Sequence, residues 1–245
     1  MSSGVELKSG RFAVMGRGFI GNITTEGLLE NDPVVSNNFA SAKLGDVMGA
    51  ESGFGFSGEK LSVVSNVGTM HESDTVLGTV GYGFLDMNGA DTNYVDSVVK
   101  YAFNDFADLT LRGTYAWTHT GDIANGFVNG MSDLKSNAFA AGVRFGNFDL
   151  TASMPLALVS GDLRYSFADF SVDDNGALVV NSLGERSIDL TPEVREYRLN
   201  ASYRHRFGDW TDGALGFIYR INPNNTNAFG NESIFMMKLS HRLGI

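Results

Sequence analysis

The chain ends with SIFMMKLSHRLGI, residues 233–245, and this stretch alternates with a period of two. One parity is apolar apart from Ser233 and His241, and the other parity carries Glu232, Lys238, Ser240 and Arg242. Successive side chains of a β-strand point to opposite faces, so the alternation predicts a strand with one apolar and one polar face. The apolar set consists of Phe235, Met237, Leu239, Leu243 and Ile245. Such a strand suits a water-soluble sheet or the closing strand of a membrane barrel.

The same alternation recurs upstream from about residue 47. It covers 109–118, 148–154, 162–167, 196–207 and 212–221, with shorter versions at 50–58, 60–69, 75–84, 93–104, 136–145 and 177–190. Turn formers such as Gly146-Asn147 and Gly208-Asp209 separate some segments tightly, whereas 119–135, 168–193 and 222–231 are longer connections. Short connections alternating with long ones predict an all-β fold, a transmembrane up-and-down antiparallel β-barrel of about 12 strands.

Composition limits the function classes. The 245 residues carry a net charge of −10, which argues against a nucleic-acid partner because a phosphate-binding surface needs excess Lys and Arg. Cysteine is absent, which excludes disulfides, zinc thiolates and thiol catalysis. No apolar run approaches the ~20 residues of a membrane helix, but only alternate residues of a barrel strand face lipid. We expect residues 1–46 to be a linker or lumenal segment with a short helix, and residues 47–245 to form the barrel.

The polar parity is too highly charged for a packed core and is predicted to line the lumen. Charged side chains are costly on a lipid-facing surface, which supports this placement. The predicted lumen-lining residues are Arg112, Arg144, Arg164, Glu196, Arg198, Arg204, Arg206, Arg220 and Lys238. The predicted lipid-facing residues are Leu109, Leu111, Tyr115, Phe148, Leu163, Tyr165, Leu199, Tyr203, Phe217, Tyr219, Phe235, Leu239 and Leu243. Aromatic side chains near strand ends, such as Trp117, Phe207 and Trp210, fit the interfacial girdles of such barrels.

Motifs for catalysis or cofactor binding are weak. Gly16, Gly18 and Gly21 match the G-x-G-x-x-G of dinucleotide-binding folds, with Asp32 downstream. That fingerprint requires a following helix and alternating strands and helices, which the sequence does not predict. No histidine pair has metal-ligand spacing, and no G-x-S-x-G segment is present. We therefore expect no cofactor, no metal and no enzymatic activity from this chain.

The C-terminal part resembles a known family. SMPLALVSGDLRYSF (153–167), RSIDLTPEVREYRLNASYRHRF (186–207) and GALGFIYRINPNN (213–225) are similar to the C-terminal β-domain of autotransporters. The resemblance is strongest to the domain attached to subtilisin-like secreted proteases of Gram-negative bacteria, and it extends more loosely over 40–148.

The resemblance implies an outer-membrane translocator that anchors and helps export an N-terminal passenger, here a subtilase. It further implies that the apolar set of the last strand is a β-signal for the barrel assembly machinery, although Ile245 stands where the family usually has Phe or Trp. Two alternatives stay open: a stand-alone porin-like or structural outer-membrane barrel, and a soluble all-β binding or filament module.

Overall fold

A computed structural model describes residues 1–24, 43–73, 75–76, 79–80, 89–121, 128–208 and 211–241. The strands of the first half are β1 (Ser2–Ser9), β2 (Phe12–Thr24), β3 (Lys43–Ser57), β4 (Leu61–Glu72), β5 (Thr75–Val76), β6 (Thr79–Val80), β7 (Ala90–Ala102) and β8 (Ala107–Thr120). The strands of the second half are β9 (Val128–Met131), β10 (Leu134–Phe145), β11 (Phe148–Ser160), β12 (Asp162–Val172), β13 (Leu178–Asp189), β14 (Tyr197–Arg206), β15 (Thr211–Ile221) and β16 (Glu232–His241). A 3-10 turn covers Pro223–Asn225. Within the described ranges, no helix is long and apolar enough to cross a membrane.

Eleven strands form one sheet in the order β1-β2-β3-β4-β7-β8-β10-β11-β14-β15-β16, which we call the main sheet. Each strand of this sheet pairs antiparallel with its neighbours. The predicted all-β class and antiparallel pairing are therefore confirmed. A second sheet has the order β13-β12-β9, and β5 pairs with β6 alone.

The connections between neighbouring strands of the main sheet are short at one end of the strands and long at the other. The end with short connections, which we call the tight-turn rim, contains residues 10–11, 58–60, 103–106, 146–147 and 207–210. The opposite end of the strands, the long-connection rim, contains the connections 25–42, 73–89, 121–133, 161–196 and 222–231. Gly10 and Gly146 have φ values of 59° and 55° in the tight turns, a left-handed conformation that favours glycine. The predicted alternation of short and long connections is confirmed.

The N-terminal segment is not the linker or helix that the sequence predicts. Ser2–Ser9 and Phe12–Thr24 form the first hairpin of the main sheet, and β2 also pairs with β3, which places Arg17 opposite Glu51. The prediction for residues 1–46 is therefore wrong over β1 and β2, and strand β3 already begins at Lys43. Glycines at alternate positions conceal the pattern here. The apolar pairs Leu28-Leu29 and Val34-Val35 lie outside the described residues.

Barrel closure would involve the two edge strands, β1 and β16. Since neighbouring strands alternate in direction and the sheet has eleven, both edges run from the long-connection rim to the tight-turn rim. Among the described residues, no ladder joins β1 to β16. Direct closure would be a parallel pairing, unlike every other pairing in the main sheet.

A long hairpin leaves the main sheet between β11 and β14. Its strands β12 and β13 pair with each other from Asp162 opposite Asp189 to Val172 opposite Leu178, and β9 adds three residue pairs at the base. Leu163 and Tyr165 belong to this hairpin, so the structure places them outside the main sheet. Both sheets have the same alternation of side chains, which is why the sequence pattern did not separate them.

Candidate lumen-facing surface

Residues opposite one another in a ladder share a face of the sheet, so the registers assign every strand of the main sheet to two faces. One row runs across the sheet through Asp108, Arg144, Asp149, Ser202 and Gly216. We call this side the polar face. Its charged members are Glu6, Lys8, Arg17, Glu51, Glu72, Asp96, Lys100, Asp108, Arg112, Arg144, Asp149, Arg198, Arg204, Arg206, Asp212, Arg220, Glu232 and Lys238.

The opposite side is the apolar face. A row directly beside the first one consists of Leu109, Val143, Leu150, Ala201, Phe217 and Phe235. The predicted lipid-facing residues that lie on the main sheet share this face: Leu109, Leu111, Tyr115, Phe148, Leu199, Tyr203, Phe217, Tyr219, Phe235 and Leu239. Polar exceptions include Ser65 and Ser97, whose hydroxyls form a hydrogen bond of 2.9 Å. Near the long-connection rim, Asp91 and Lys135 also lie on this face.

Burial on the two faces of β8 and β10 is the reverse of what a water-soluble protein shows. On β8, Thr118 on the polar face is 1% exposed, whereas Trp117 on the apolar face is 42% exposed. On β10, Ser136 is 2% exposed and Phe139 is 50% exposed. Large apolar side chains normally occupy the interior of a soluble protein and polar ones its surface. On these two strands, the polar side chains are therefore enclosed by their neighbours and the large apolar side chains are not.

Several carboxylates on the polar face are paired with cations from neighbouring strands. Asp96 accepts hydrogen bonds from Arg112 Nε at 3.1 Å and from the Thr114 hydroxyl at 2.6 Å. The buried Asp108 forms ion pairs with Lys100 and with Arg144. The structure thus places Arg112 and Arg144 on the predicted face, where their carboxylate partners neutralise them.

The most enclosed ion pairs surround Glu196, which is 2% exposed at the long-connection rim. Its carboxylate accepts hydrogen bonds from Arg220 Nε at 2.7 Å, from Arg198 Nε at 2.5 Å and from the backbone N–H of Asn224 at 2.8 Å. The Arg220 hydrogen bond, with those from Arg198 and Asn224, outweighs the effect of burial and lowers the pKa of Glu196 from 4.5 to about 2. Arg220 also donates to Glu232 at 2.6 Å. This cluster fixes the 3-10 turn to β14 and β15.

The remaining predicted cations lie at the tight-turn rim. The register places Arg204, Ala214 and Lys238 in one row across β14, β15 and β16, with Arg206 and Asp212 in the next. They border a groove of about 820 Å³ on this part of the polar face. Arg206 forms an ion pair with Asp212 at 3.2 Å.

Two parts of the predicted site lie elsewhere. Arg164 is in the hairpin sheet, opposite Ser187 and Gly130, so the structure does not bring it to the polar face of the main sheet. In the predicted β-signal, Phe235, Met237 and Leu239 share the apolar face of β16. Leu243 and Ile245 lie outside the described residues. Recognition of this segment by an assembly machinery stays a prediction.

Arg195 is a structural anchor that the sequence did not reveal. Its guanidinium donates hydrogen bonds to the backbone carbonyls of Asn137 at 3.1 Å, Pro155 at 3.2 Å and Ala157 at 3.4 Å. These carbonyls lie where the register of β10 and β11 shifts between Asn137 and Phe139. Proline cannot donate to a ladder, so Pro155 within β11 was the available indication of a break there.

Aromatic side chains of the apolar face concentrate near the tight-turn rim. Phe12 contacts Phe54 and Phe56 with ring centroids 5.9 and 5.4 Å apart, and Tyr101 contacts Phe103 at 5.2 Å. Further ring-bearing residues near this rim are Phe145, Phe148, Tyr203 and Phe207. Toward the other rim, the Tyr115 and Trp117 rings are 4.7 Å apart. Aromatic residues near both rims fit the expected girdles, although Phe139, Phe217 and Phe235 lie on the same face in the middle of their strands. Trp210 lies outside the described residues.

The dinucleotide fingerprint and metal chemistry find no support in this geometry. Gly16, Gly18 and Gly21 lie within strand β2 rather than at the start of a helix, so they do not form the turn that holds a pyrophosphate. Among the described residues, no group of three or more His, Asp or Glu side chains is arranged to hold a metal ion.

No protein-family model matches the chain, and no curated protein matches it. Among solved structures, it is similar to the toluene transporter TodX of Pseudomonas putida, with a TM-score of 0.42 and 9% sequence identity. That match covers 96% of this chain and 71% of the transporter chain. At this TM-score we draw no conclusion about fold or function from the likeness.

Proposed function

We propose that the protein is an outer-membrane β-barrel whose apolar face contacts lipid and whose polar face lines the lumen. The reversed burial of Thr118 and Trp117, repeated along β8 and β10, carries this proposal. A water-soluble sheet would leave its Phe, Leu and Trp side chains in water and enclose its Ser, Thr and Asp side chains. A membrane supplies an apolar environment for the first set, and a water-filled lumen supplies partners for the second.

The proposal includes closure of the main sheet. In lipid, the backbone N–H and C=O groups at the edges of β1 and β16 cannot remain unpaired, because each unsatisfied group costs several kcal/mol. Since both edges run in the same direction, closure by antiparallel pairs alone takes one more strand between them. This would give the barrel of about 12 strands that the alternation predicts, an even number as in bacterial single-chain barrels.

We propose more narrowly that the barrel is the translocator domain of an autotransporter, exporting an N-terminal passenger. The resemblance over 149–245 supports this narrower function, and the barrel assembly machinery would be its partner during insertion. The charged polar face supports either a polypeptide path or a solute path, because charge rings bias what passes in both cases. A stand-alone porin-like barrel therefore remains the competing function within the same architecture.

Electrophoretic mobility of the purified chain, with and without boiling, tests the barrel. We expect the protein to require detergent for solubility and to migrate faster unboiled than boiled, since a folded barrel resists the detergent and stays compact. A chain that is soluble without detergent and runs identically in both lanes would contradict the proposal. It would point to a soluble all-β module instead.

A secretion assay separates the translocator from the porin-like barrel. A protease-sensitive reporter would be joined to Met1 behind an export signal and expressed in a Gram-negative host. A translocator delivers the reporter to the outside, where protease added to intact cells removes it. A reporter that stays protected in the periplasm, together with ion conductance of the purified barrel in planar bilayers, would favour the porin-like function.

A further inference from the structure

The cations of the polar face fall into two groups, according to whether a carboxylate neutralises them. Arg112, Arg144 and Arg198 have a carboxylate within 3.1 Å. By contrast, Arg204 and Lys238 form no ion pair with any carboxylate of the part of the chain that the structure describes. The arginines that brace the sheet are thus distinct from a pair of cations whose charge is available.

The available cations lie together. Arg204 and Lys238 flank Ala214 in one row, and Arg206 lies beside them on β14. The small Ala214 side chain keeps the space between them open, and they border the groove of about 820 Å³ at the tight-turn rim. Asp212 is the acidic side chain lining this groove, and it is paired with Arg206. Three cations therefore face one carboxylate, on a chain whose formal net charge is −10.

We propose that Arg204, Lys238 and Arg206 form an anion-binding site that takes small solutes carrying a phosphate or carboxylate group. Arginine presents paired N–H donors that match both oxyanions, and lysine adds a mobile ammonium group. The inference rests on the proposed function, because a lumen-facing site of this kind would select anions at the tight-turn mouth of the barrel. Excess positive charge in a confined groove raises the local concentration of anions.

Calorimetric titration of the detergent-folded protein with inorganic phosphate at low ionic strength tests the site. We expect saturable binding to the unmodified chain and at least about tenfold weaker binding to the double variant Arg204→Gln/Lys238→Gln, because charge-assisted hydrogen bonds to the anion are lost. Arg112→Gln is the matched control. It removes a cation from the same face, but one already paired with Asp96, so phosphate affinity should stay within about twofold.

Competition with succinate shows whether the site accepts carboxylates as well as phosphate. Displacement of phosphate by succinate supports a site that binds both anions. Failure to displace phosphate overturns the proposal that the site binds carboxylates. Absence of saturable phosphate binding to the unmodified chain, or equal binding by the double variant, would overturn the site. The gel-mobility assay on the same samples separates the two failures. A heat-modifiable protein without phosphate binding would overturn the anion site alone, whereas a protein without heat-modifiable mobility would overturn the barrel.

Discussion

Introducing a charge at Leu199 should be far more damaging than introducing the same charge at Ser202. Both residues lie on β14, but Leu199 is on the apolar face between Ala152 and Tyr219, and Ser202 is on the polar face between Asp149 and Gly216. An arginine on the lipid face near the bilayer midplane costs ~2–4 kcal/mol. In Ser202→Arg, the added guanidinium lies between Asp149, which offers it a carboxylate, and Gly216, which has no side chain and so leaves space for it.

The magnitude distinguishes a membrane from water. Leu199 is 44% exposed, so in a water-soluble sheet Leu199→Arg would be a surface substitution, which usually changes the free energy of unfolding by less than about 0.5 kcal/mol. In a membrane, the expected ~2–4 kcal/mol corresponds to a roughly 30- to 900-fold change in the folding equilibrium.

Urea titration of folding into phospholipid vesicles, followed by tryptophan fluorescence, measures this difference. We expect Leu199→Arg to lower the free energy of unfolding by ~2–4 kcal/mol, and Ser202→Arg by less than about 1 kcal/mol. Equal losses in the two variants would refute the assignment of the faces. A larger loss in Ser202→Arg would reverse it.

Further predictions concern the rims and the anchor of the hairpin. Because the pKa of Glu196 is lowered to about 2, the stabilisation from its ion pairs should be complete above pH 4.5 and be lost as the pH falls through about 2. The backbone amide of Asn224 donates to this carboxylate, so its NMR signal should titrate at that lower pH. A titration midpoint near 4.5 would contradict the cluster. Arg195→Gln should lower the free energy of unfolding by about 1–3 kcal/mol in urea titrations, since buried carbonyls lose their donor. Arg195→Lys should recover only part of this loss, and full recovery would show that charge alone matters. Gly146→Ala should lower the thermal stability more than Gly10→Ala. Both glycines have a positive φ, but only at Gly146 would the added methyl group meet the Phe106 ring. Equal thermal stabilities of the two variants would contradict that packing.

The sequence predicted the two faces well wherever large apolar residues alternate with charged ones. In β8, β14 and β15, the side-chain period of two is sufficient, because it is a property of the strand itself. In β2, Gly16, Gly18 and Gly21 contribute neither polarity nor bulk, so the pattern vanished and the first hairpin was missed.

Long-range register could not be predicted in the same way. The pairing of Glu196 with Arg220 depends on which residues of β14 and β15 face each other, and on the turn that brings Asn224 back to the carboxylate. The separation of Arg204 from the braced arginines depends on where the carboxylates of neighbouring strands fall. Arg164 was misplaced for a related reason, since alternation is identical in the main sheet and in the hairpin.

Site-directed spin labelling in lipid vesicles tests most directly whether the apolar face contacts lipid. The chain contains no cysteine, so single cysteines at Leu199, Phe217, Ser202 and Ala214 report one position at a time. Labels at Leu199 and Phe217 should be accessible to oxygen, which concentrates in lipid, and protected from a water-soluble nickel chelate. Labels at Ser202 and Ala214 should show the opposite preference. Nickel accessibility without this alternation would contradict a lipid-facing surface and, with it, the proposed barrel.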